Sequence, residues 1–470
     1  MLAAPVARFV AYALFAVAGA AVPPMILCLL GGAQEEDGYL LAFGVAAFLG
    51  GLALALSTMP SRRAAAKGGL RELLLALLVF WAGVPLVASL PFAYQGWAPG
   101  DAWFEAVSGV TTTGGWLSDP SARASLPDAL YRAELQWIGG LVSLCTAAAV
   151  FVRPEFLGVA PVVPPFARGE SGSYLRAFRA AFIVFLPVFA GLTALSALAF
   201  ALASVAPGDA LVMALSLIST GGFVPHPQGL GAYGVPVQML AAIVMLIGAA
   251  NFIVIAGLAS GRGRRMRGGE DRETLALVLF VPAIALLFWL STGAGDLDRL
   301  AAQGFNAVSL VSTNGMTLGE APQLTPVLVT AVIGGAAVST AGGIKLLRWL
   351  ITFSRVGEEL WKLSHPGGVR ADRPSIDEFG VWIHTIAFTI LLAAIVLVTA
   401  FFGNSLEVSA AVAVAVVANA GPLVDLAPNT TADYVLFDPA LRPVFAVGMI
   451  AGRLELVVLL VALNRRFWQA

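Results

Sequence analysis

The chain has 470 residues, 59% of them hydrophobic and only 12% charged, with a formal net charge of −1 and a mean hydropathy of +0.87. A soluble protein covers its surface with about 25% charged residues, so this composition excludes a set of soluble domains and a disordered chain. The near-neutral balance offers no basic field for nucleic acid. What remains is an all-α polytopic membrane protein. Its two cysteines, Cys28 and Cys145, lie in apolar runs, and neither a disulfide framework nor a thiolate metal site is expected.

In chain order, Arg8 and the apolar run to Leu30 have the outline of a secretory signal, but apolar segments continue to the end of the chain. Residues 5–30 therefore read as a retained first span. Further spans are predicted at 38–58, 71–93, 128–152, 176–204, 233–260, 273–293, 324–352, 377–403 and 439–463, ten in all, which puts both ends on one side. Basic residues choose the side. Arg62, Arg63, Lys67 and Arg71 fill one loop, Arg168, Arg176 and Arg179 another, and Arg262, Arg264, Arg265 and Arg267 a third. Arg355, Lys362, Arg370 and Arg373 fill a fourth, and Arg465 and Arg466 close the chain. By the positive-inside rule these are cytoplasmic, and so are both termini. The opposite loops are acidic or mixed, with Glu35, Glu36 and Asp37 in one and Asp296, Asp298 and Arg299 in another.

Four outward connections after the third span are too apolar for water and too interrupted for a helix. Non-helical backbone is tolerated at membrane depth only where it is buried in protein or lines a watery cavity, so these segments read as re-entrant loops. They share an eleven-residue window: Phe104-Glu-Ala-Val-Ser-Gly-Val-Thr-Thr-Thr-Gly114, Val212-Met-Ala-Leu-Ser-Leu-Ile-Ser-Thr-Gly-Gly222, Phe305-Asn-Ala-Val-Ser-Leu-Val-Ser-Thr-Asn-Gly315 and Ala411-Val-Ala-Val-Ala-Val-Val-Ala-Asn-Ala-Gly421. Ser108, Ser216 and Ser309 fall six residues before their glycines. Small residues also pack helices closely, but four windows in register signal internal symmetry. A closing glycine can take positive φ and let carbonyls point inward, so four such segments around an axis would make a ring of carbonyl oxygens.

Such a ring suits a monovalent cation that must shed water and then leave. The residues before the glycines, Thr113, Gly221, Asn314 and Ala420, include no carboxylate, which disfavours calcium and magnesium. Asp101, Glu105, Asp209, Glu320, Glu407 and Asp425 sit near loop starts or the outer mouth. They are candidates for concentrating cations or for helix caps and a solvated rim, and Asp425, four residues after Gly421, is the best placed as a mouth charge.

These residues resemble the Trk/Ktr/HKT superfamily of potassium transporters, and within it the bacterial TrkH-type membrane subunit, over essentially the whole chain. The marks are Phe104-Glu105 leading into Ser108-Gly109-Val110-Thr111-Thr112-Thr113-Gly114, then Gln136-Trp137-Ile138-Gly139-Gly140, Gly334-Gly335 through Ser339-Thr340-Ala341-Gly342-Gly343-Ile344-Lys345, and Gly452-Arg453-Leu454-Glu455. The resemblance implies two extra N-terminal helices (1–60) and four helix–pore loop–helix units (61–152, 153–260, 261–360 and 361–470) around a pseudo-fourfold pore. It implies a potassium filter at Thr111, Thr112, Thr113, Gly114, Thr220, Gly221, Gly222, Thr313, Asn314, Gly315, Asn419, Ala420 and Gly421. In this superfamily a serine at the first filter glycine goes with sodium permeation, and Gly114 here favours potassium. Also implied are a bacterial cytoplasmic membrane location, a homodimer in membrane lipid with one pore per subunit, and cytosolic nucleotide-binding regulatory subunits of TrkA type. No cofactor is expected in this chain. Segments 262–272 and 355–373 are candidate docking surfaces, or serve topology alone.

The eighth span is interrupted by Gly-Gly-Ala-Ala-Val-Ser-Thr-Ala-Gly-Gly at 334–343, and each internal glycine weakens a helix by about 1 kcal/mol relative to alanine. The resemblance places a gate here, with Gly334, Gly335, Ser339, Thr340, Gly342, Gly343, Lys345 and Arg453. The segment departs from the family's Gly-Ser-Thr-Gly-Gly-Gly pattern at Val338 and Ala341, and close helix packing is the structural alternative. Arg453 is expected to project toward the pore below the filter, restrained by Glu455 or the gate loop, or else to fix the last helix by a salt bridge. Lys345 either snorkels to the interface or anchors the loop. His226 is a surface residue, since no second His or Cys stands at ligand spacing. A sodium-permeable or ion-coupled (Na⁺ or H⁺) symporter of the same superfamily is the alternative function. An intramembrane enzyme would need paired carboxylates or a His cluster within the spans, and His384 stands alone in its helix while His365 lies in a loop.

Overall fold

The computed structural model describes residues 4–31, 36–59, 69–117, 125–151, 174–226, 228–259, 269–365, 379–427, 434–454 and 456–464. Arg62, Arg63, Lys67, Arg168, Arg262, Arg264, Arg265, Arg267, Arg370, Arg373, Glu455, Arg465 and Arg466, with residues 262–268 and 366–373 of the two candidate docking segments, lie outside the described residues. The chain begins with α1 (Ala4–Gly31) and α2 (Glu36–Thr58), packed on each other, and α3 (Leu70–Tyr94). A π turn at Val79–Gly83 interrupts α3. Pro85 lacks an N–H, and its ring would strike the carbonyl four residues back, so the helix slips register there instead of breaking.

There follow α4 (Pro99–Val110), α5 (Leu126–Phe151), α6 (Tyr174–Leu202), α7 (Pro207–Ile218), α8 (Val235–Ala249), α9 (Phe252–Ala259), α10 (Gly269–Ser291), α11 (Leu297–Val311), α12 (Leu324–Ile333), α13 (Leu346–Ser364), α14 (Phe379–Phe401), α15 (Leu406–Val417), α16 (Arg442–Arg453) and α17 (Leu456–Leu463). Helices α4, α7 and α15 have 12 residues and α11 has 15. At 1.5 Å per residue they reach about 18–23 Å, short of a hydrocarbon layer of about 30 Å. They begin on Pro99, Pro207, a cap from Asp296 and a cap from Ser405, and each ends at one of the four repeated windows.

The packing of these short helices is cyclic. Helix α5 lies against α7, α8 against α11, α12 against α15, and α16 closes back on α4. Each element that follows a window thus packs on the short helix of the next repeat. Two buried clusters hold the arrangement. One joins α1, α3, α5, α6, α7 and α9 through Val17, Phe80, Trp81, Tyr131, Phe185, Phe189, Met213 and Phe252. The other joins α14, α15 and α16 through Phe388, Val412, Val416 and Phe445.

Among the described residues, seven helices are long and apolar enough to cross a membrane. Of the ten predicted spans, the one expected as continuous over 233–260 is broken: α8 and α9 meet at 100°, with Ala250 and Asn251 between them. The span predicted at 324–352 is interrupted between α12 and α13, and α13 continues to Ser364. The last span divides into α16 and α17.

Candidate functional site

The four windows repeat in backbone geometry as well as in sequence. Thr112, Thr220, Thr313 and Asn419, each two residues before its closing glycine, take φ of 54°, 55°, 60° and 53°. The left-handed region costs an L-residue about 1–2 kcal/mol, and such outliers persist where surrounding structure holds them. Just after each sits the same bond. Thr113, Gly221, Asn314 and Ala420 donate their N–H groups to the carbonyls of Ser108, Ser216, Ser309 and Ala415 at 2.8–2.9 Å. Gly114, Gly222 and Gly315 take φ of 71°, 65° and 77°. Gly421 departs from the expected positive φ, because the chain turns there into a 3₁₀ segment led by Pro422.

The windows meet one another in order. A Cβ on Gly114 would strike the Gly221 carbonyl, one on Gly222 the Asn314 carbonyl, one on Gly315 the Ala420 carbonyl at 3.0 Å, and one on Gly421 the Thr113 carbonyl at 2.6 Å. The fourth window returns to the first. Gly421 donates its N–H to the Thr113 carbonyl at 2.6 Å, and Asn419 Nδ2 donates to Thr113 Oγ1 at 2.9 Å. Thr111, Thr112, Thr113, Thr220, Thr313, Asn314, Asn419 and Ala420 are fully buried. The C-terminal ends of α4, α7, α11 and α15 lead directly into this meeting point, and a helix C-terminus carries partial negative charge.

A polar frame outside the windows holds them. Ser108 Oγ accepts from Gly115 N–H and Ser216 Oγ from Phe223 N–H, both at 2.8 Å. Gln136 Nε2 donates to the Gly221 carbonyl at 2.9 Å, so that oxygen is engaged by the frame. Glu105 and Asn306, at the second position of their windows, each accept from a backbone N–H twelve residues on, that of Leu117 at 3.1 Å and that of Leu318 at 2.7 Å. Glu105 is therefore not the rim or mouth charge expected of it. It is fully buried and ion-paired with Arg132 at 2.6 Å, whose guanidinium lies 5.2 Å over the Phe92 ring and 5.5 Å over Trp116. Asp101 pairs with Arg442 and ties α4 to α16, whereas Glu320, Glu407 and Asp425 are exposed.

Below the windows the chain leaves helix at Gly334 (φ 73°) and resumes it after Lys345 (φ 80°). This segment touches the base of three windows directly. Thr220 Oγ1 donates to the Thr340 carbonyl at 2.9 Å, and Gly342 N–H donates to Thr313 Oγ1 at 2.7 Å. A Cβ on Gly342 would strike the Ala418 carbonyl. Arg453 makes the remaining connection: Nε donates to the Thr111 carbonyl at 2.5 Å, one terminal nitrogen to the Thr340 carbonyl at 2.6 Å and the other to Thr112 Oγ1. Of the two readings of Lys345, the structure has the anchor: it is buried and donates to the carbonyls of Ala341 and Ser339. Lys345, Arg453, Ser339, Ser143 and Thr146 line one small cavity beneath.

Sequence comparison places the chain among transporters. The TrkH family of cation transport proteins matches residues 76–294. The Trk system potassium uptake protein TrkH of Salmonella typhimurium is 30% identical over 99% of this chain and 99% of its own length. This chain belongs to the TrkH family. The Trk system potassium uptake protein TrkI of Halomonas elongata is 27% identical, covering 96% of this chain and 93% of its own. The crystal structure of the potassium transporter TrkH from Vibrio parahaemolyticus matches the fold with a TM-score of 0.84 at 25% identity, covering 99% of both chains. As a TrkH-family transporter the protein is not an enzyme.

Several residues of this TrkH-family site escape sequence reasoning. Gly139, Gly248 and Gly452 press against the last carbonyls of the preceding short helices, those of Val110, Ile218 and Val417, which explains Gly139 and Gly452, otherwise visible only as family marks, and Gly248, which no motif singles out. Arg132, Arg348, Asn251 and Glu273 are buried polar residues within or beside spans; Arg348 and Asn251 are signalled by an isolated charge or amide in an apolar run, whereas Glu273 ends the charged run Glu270-Asp271-Arg272-Glu273 and Arg132 stands near Asp128 and Glu134. Gly229-Leu-Gly-Ala-Tyr-Gly234 matches the letters of a dinucleotide G-x-G-x-x-G motif, but it forms a 3₁₀ turn before α8 and, among the described residues, follows no strand, so it lacks the context of a nucleotide site. Among the described residues no group of three or more His, Cys, Asp or Glu is placed to hold a metal.

Proposed function

We propose that this TrkH-family protein carries potassium into the bacterial cell along the axis where the four windows meet. Residues 61–152, 153–260, 261–360 and 361–470 supply the four units, and residues 1–60 add two helices outside them. The observation that carries the reading is the closed succession of contacts from Gly114 through Gly221, Gly222, Asn314, Gly315, Ala420 and Gly421 to Thr113. Four backbone segments held that close, with helix C-termini aimed at them, form an uncharged, electronegative lining of the kind that replaces the water around a monovalent cation. The curated relatives are named for potassium uptake, which selects potassium as the ion. Thr111 to Gly114, Thr220 to Gly222, Thr313 to Gly315 and Asn419 to Gly421 are the filter residues, and the segment from Gly334 to Lys345, with Arg453, is the gate.

The buried carboxylates Glu105 and Asp128 are engaged, Glu105 by Arg132 and Leu117 and Asp128 by Tyr39, Gln95 and Ser125. This favours passive, channel-like conduction over an ion-coupled cycle. A cytosol-negative potential of about 150 mV would supply about 3.5 kcal/mol per charge. We place both termini in the cytoplasm, with a homodimer and TrkA-type nucleotide-binding subunits as partners on that side. The test is uptake into liposomes containing the purified protein. Rubidium influx should be driven by an imposed inside-negative potential without a sodium or proton gradient and exceed sodium influx, and a strict requirement for either gradient would overturn the reading.

A further inference from the structure

The two broken spans in this protein complete each other. A break in a membrane helix strands N–H and C=O groups that water cannot reach, and each group left unsatisfied is costly. At the α8–α9 break the carbonyls of Gly248 and Ala249 accept from the N–H groups of Thr340 at 3.1 Å and Ala336 at 2.9 Å. Phe252 N–H donates to the Val338 carbonyl at 2.8 Å. Residues 336–340 of the segment between α12 and α13 are thus paired with the α8–α9 break.

A buried carboxylate locks this junction. Glu273, on α10, is 1% exposed. One oxygen accepts the Ala337 N–H at 2.6 Å and the other accepts from Asn251 Nδ2 at 2.9 Å. The carboxylate also faces the Leu347 backbone N–H, in the first turn of α13, and the Lys345 ammonium. Asn251 Oδ1 in turn accepts from Ile253 N–H at 3.0 Å and caps α9. One amide and one carboxylate therefore join α9, α10, the segment below the windows and the start of α13.

We propose that Glu273 and Asn251 form a latch that holds the 334–345 segment in its blocking position, and that the break between α8 and α9 is part of the gate. Glu273 is a positioning residue: it touches the gate backbone, not the ion. The inference rests on the reading of 334–345 as a gate, and the experiment separates the two. Rubidium and sodium uptake are measured in liposomes for the full chain, for Glu273→Gln, for Asn251→Ala, for the double variant, and for deletion of Ala336–Ala341 as the reference. Glutamine keeps the size of Glu273 but replaces one acceptor with a donor. Each single variant should raise basal rubidium influx about tenfold, the equivalent of one hydrogen bond to a charged group. The double variant should exceed either single by less than the product of their effects, since they share one latch, and rubidium-over-sodium preference should stay unchanged. Loss of packing alone would lower flux, not raise it. If the deletion raises influx while the folded single variants do not, the latch is wrong and the gate stands. If the deletion leaves influx unchanged, the gate reading fails and the latch with it. Should Glu273→Gln not survive purification, Asn251→Ala alone decides between these outcomes.

Discussion

Replacing Arg453 with alanine is expected to raise basal rubidium influx by an order of magnitude or more. Arg453 joins the first window to the segment beneath it, through Thr111, Thr112 and Thr340. Hydrogen bonds to a charged group contribute about 1.5–3 kcal/mol each, so even one lost bond shifts a closed–open balance about tenfold or more. A fixed positive charge beneath a cation filter also repels the ion, and its removal acts in the same direction. Arg453→Lys keeps the charge but not the forked geometry, so it should fall between the native chain and alanine. Liposome uptake by monodisperse protein measures this, and native or reduced flux in Arg453→Ala would show that the arginine does not hold the pathway closed.

The second large effect is expected at Gly114. Its φ of 71° lies where side chains are strained, and a Cβ there would meet the Gly221 carbonyl. Gly114→Ser and Gly114→Ala should therefore behave alike, each reducing rubidium-over-sodium preference by about tenfold or more, since strain of about 1–2 kcal/mol adds to a backbone collision. Gly100→Ala, on α4 and with no atom within 4 Å of the added Cβ, should leave preference unchanged. Competitive rubidium and sodium uptake in the four proteins checks this. If serine alone changed preference and alanine did not, the hydroxyl would matter and the steric argument would be wrong.

Most of the architecture was legible because a bilayer imposes long apolar runs and leaves few explanations for apolar segments that are not helices. The four windows could be found because their closing glycines repeat in register, with a central serine in three of them, and the structure adds a left-handed residue two places before each glycine. The break at 334–345 announced itself through paired glycines. The break at Ala250–Asn251 did not: Ala249-Ala250-Asn251 is ordinary helix-forming sequence apart from one amide, and only the groups donated by the distant 336–340 segment make the bend affordable. Glu105 misled for a related reason. A carboxylate at a loop start resembles a rim charge until Arg132, 27 residues on, is folded against it. The choice between snorkelling and anchoring for Lys345 likewise depended on where Ser339 and Ala341 turn their carbonyls, which is a property of the irregular backbone and not of residue type.

The central claim, that the four windows surround one ion, is tested most directly by the anomalous scattering of rubidium in crystals of the protein. The account predicts density on the common axis, shared among the carbonyls near Gly114, Gly222, Gly315 and Gly421 and lying on the outer side of Arg453. Windows without rubidium density between them, or density confined to a site touching only one of them, would contradict it.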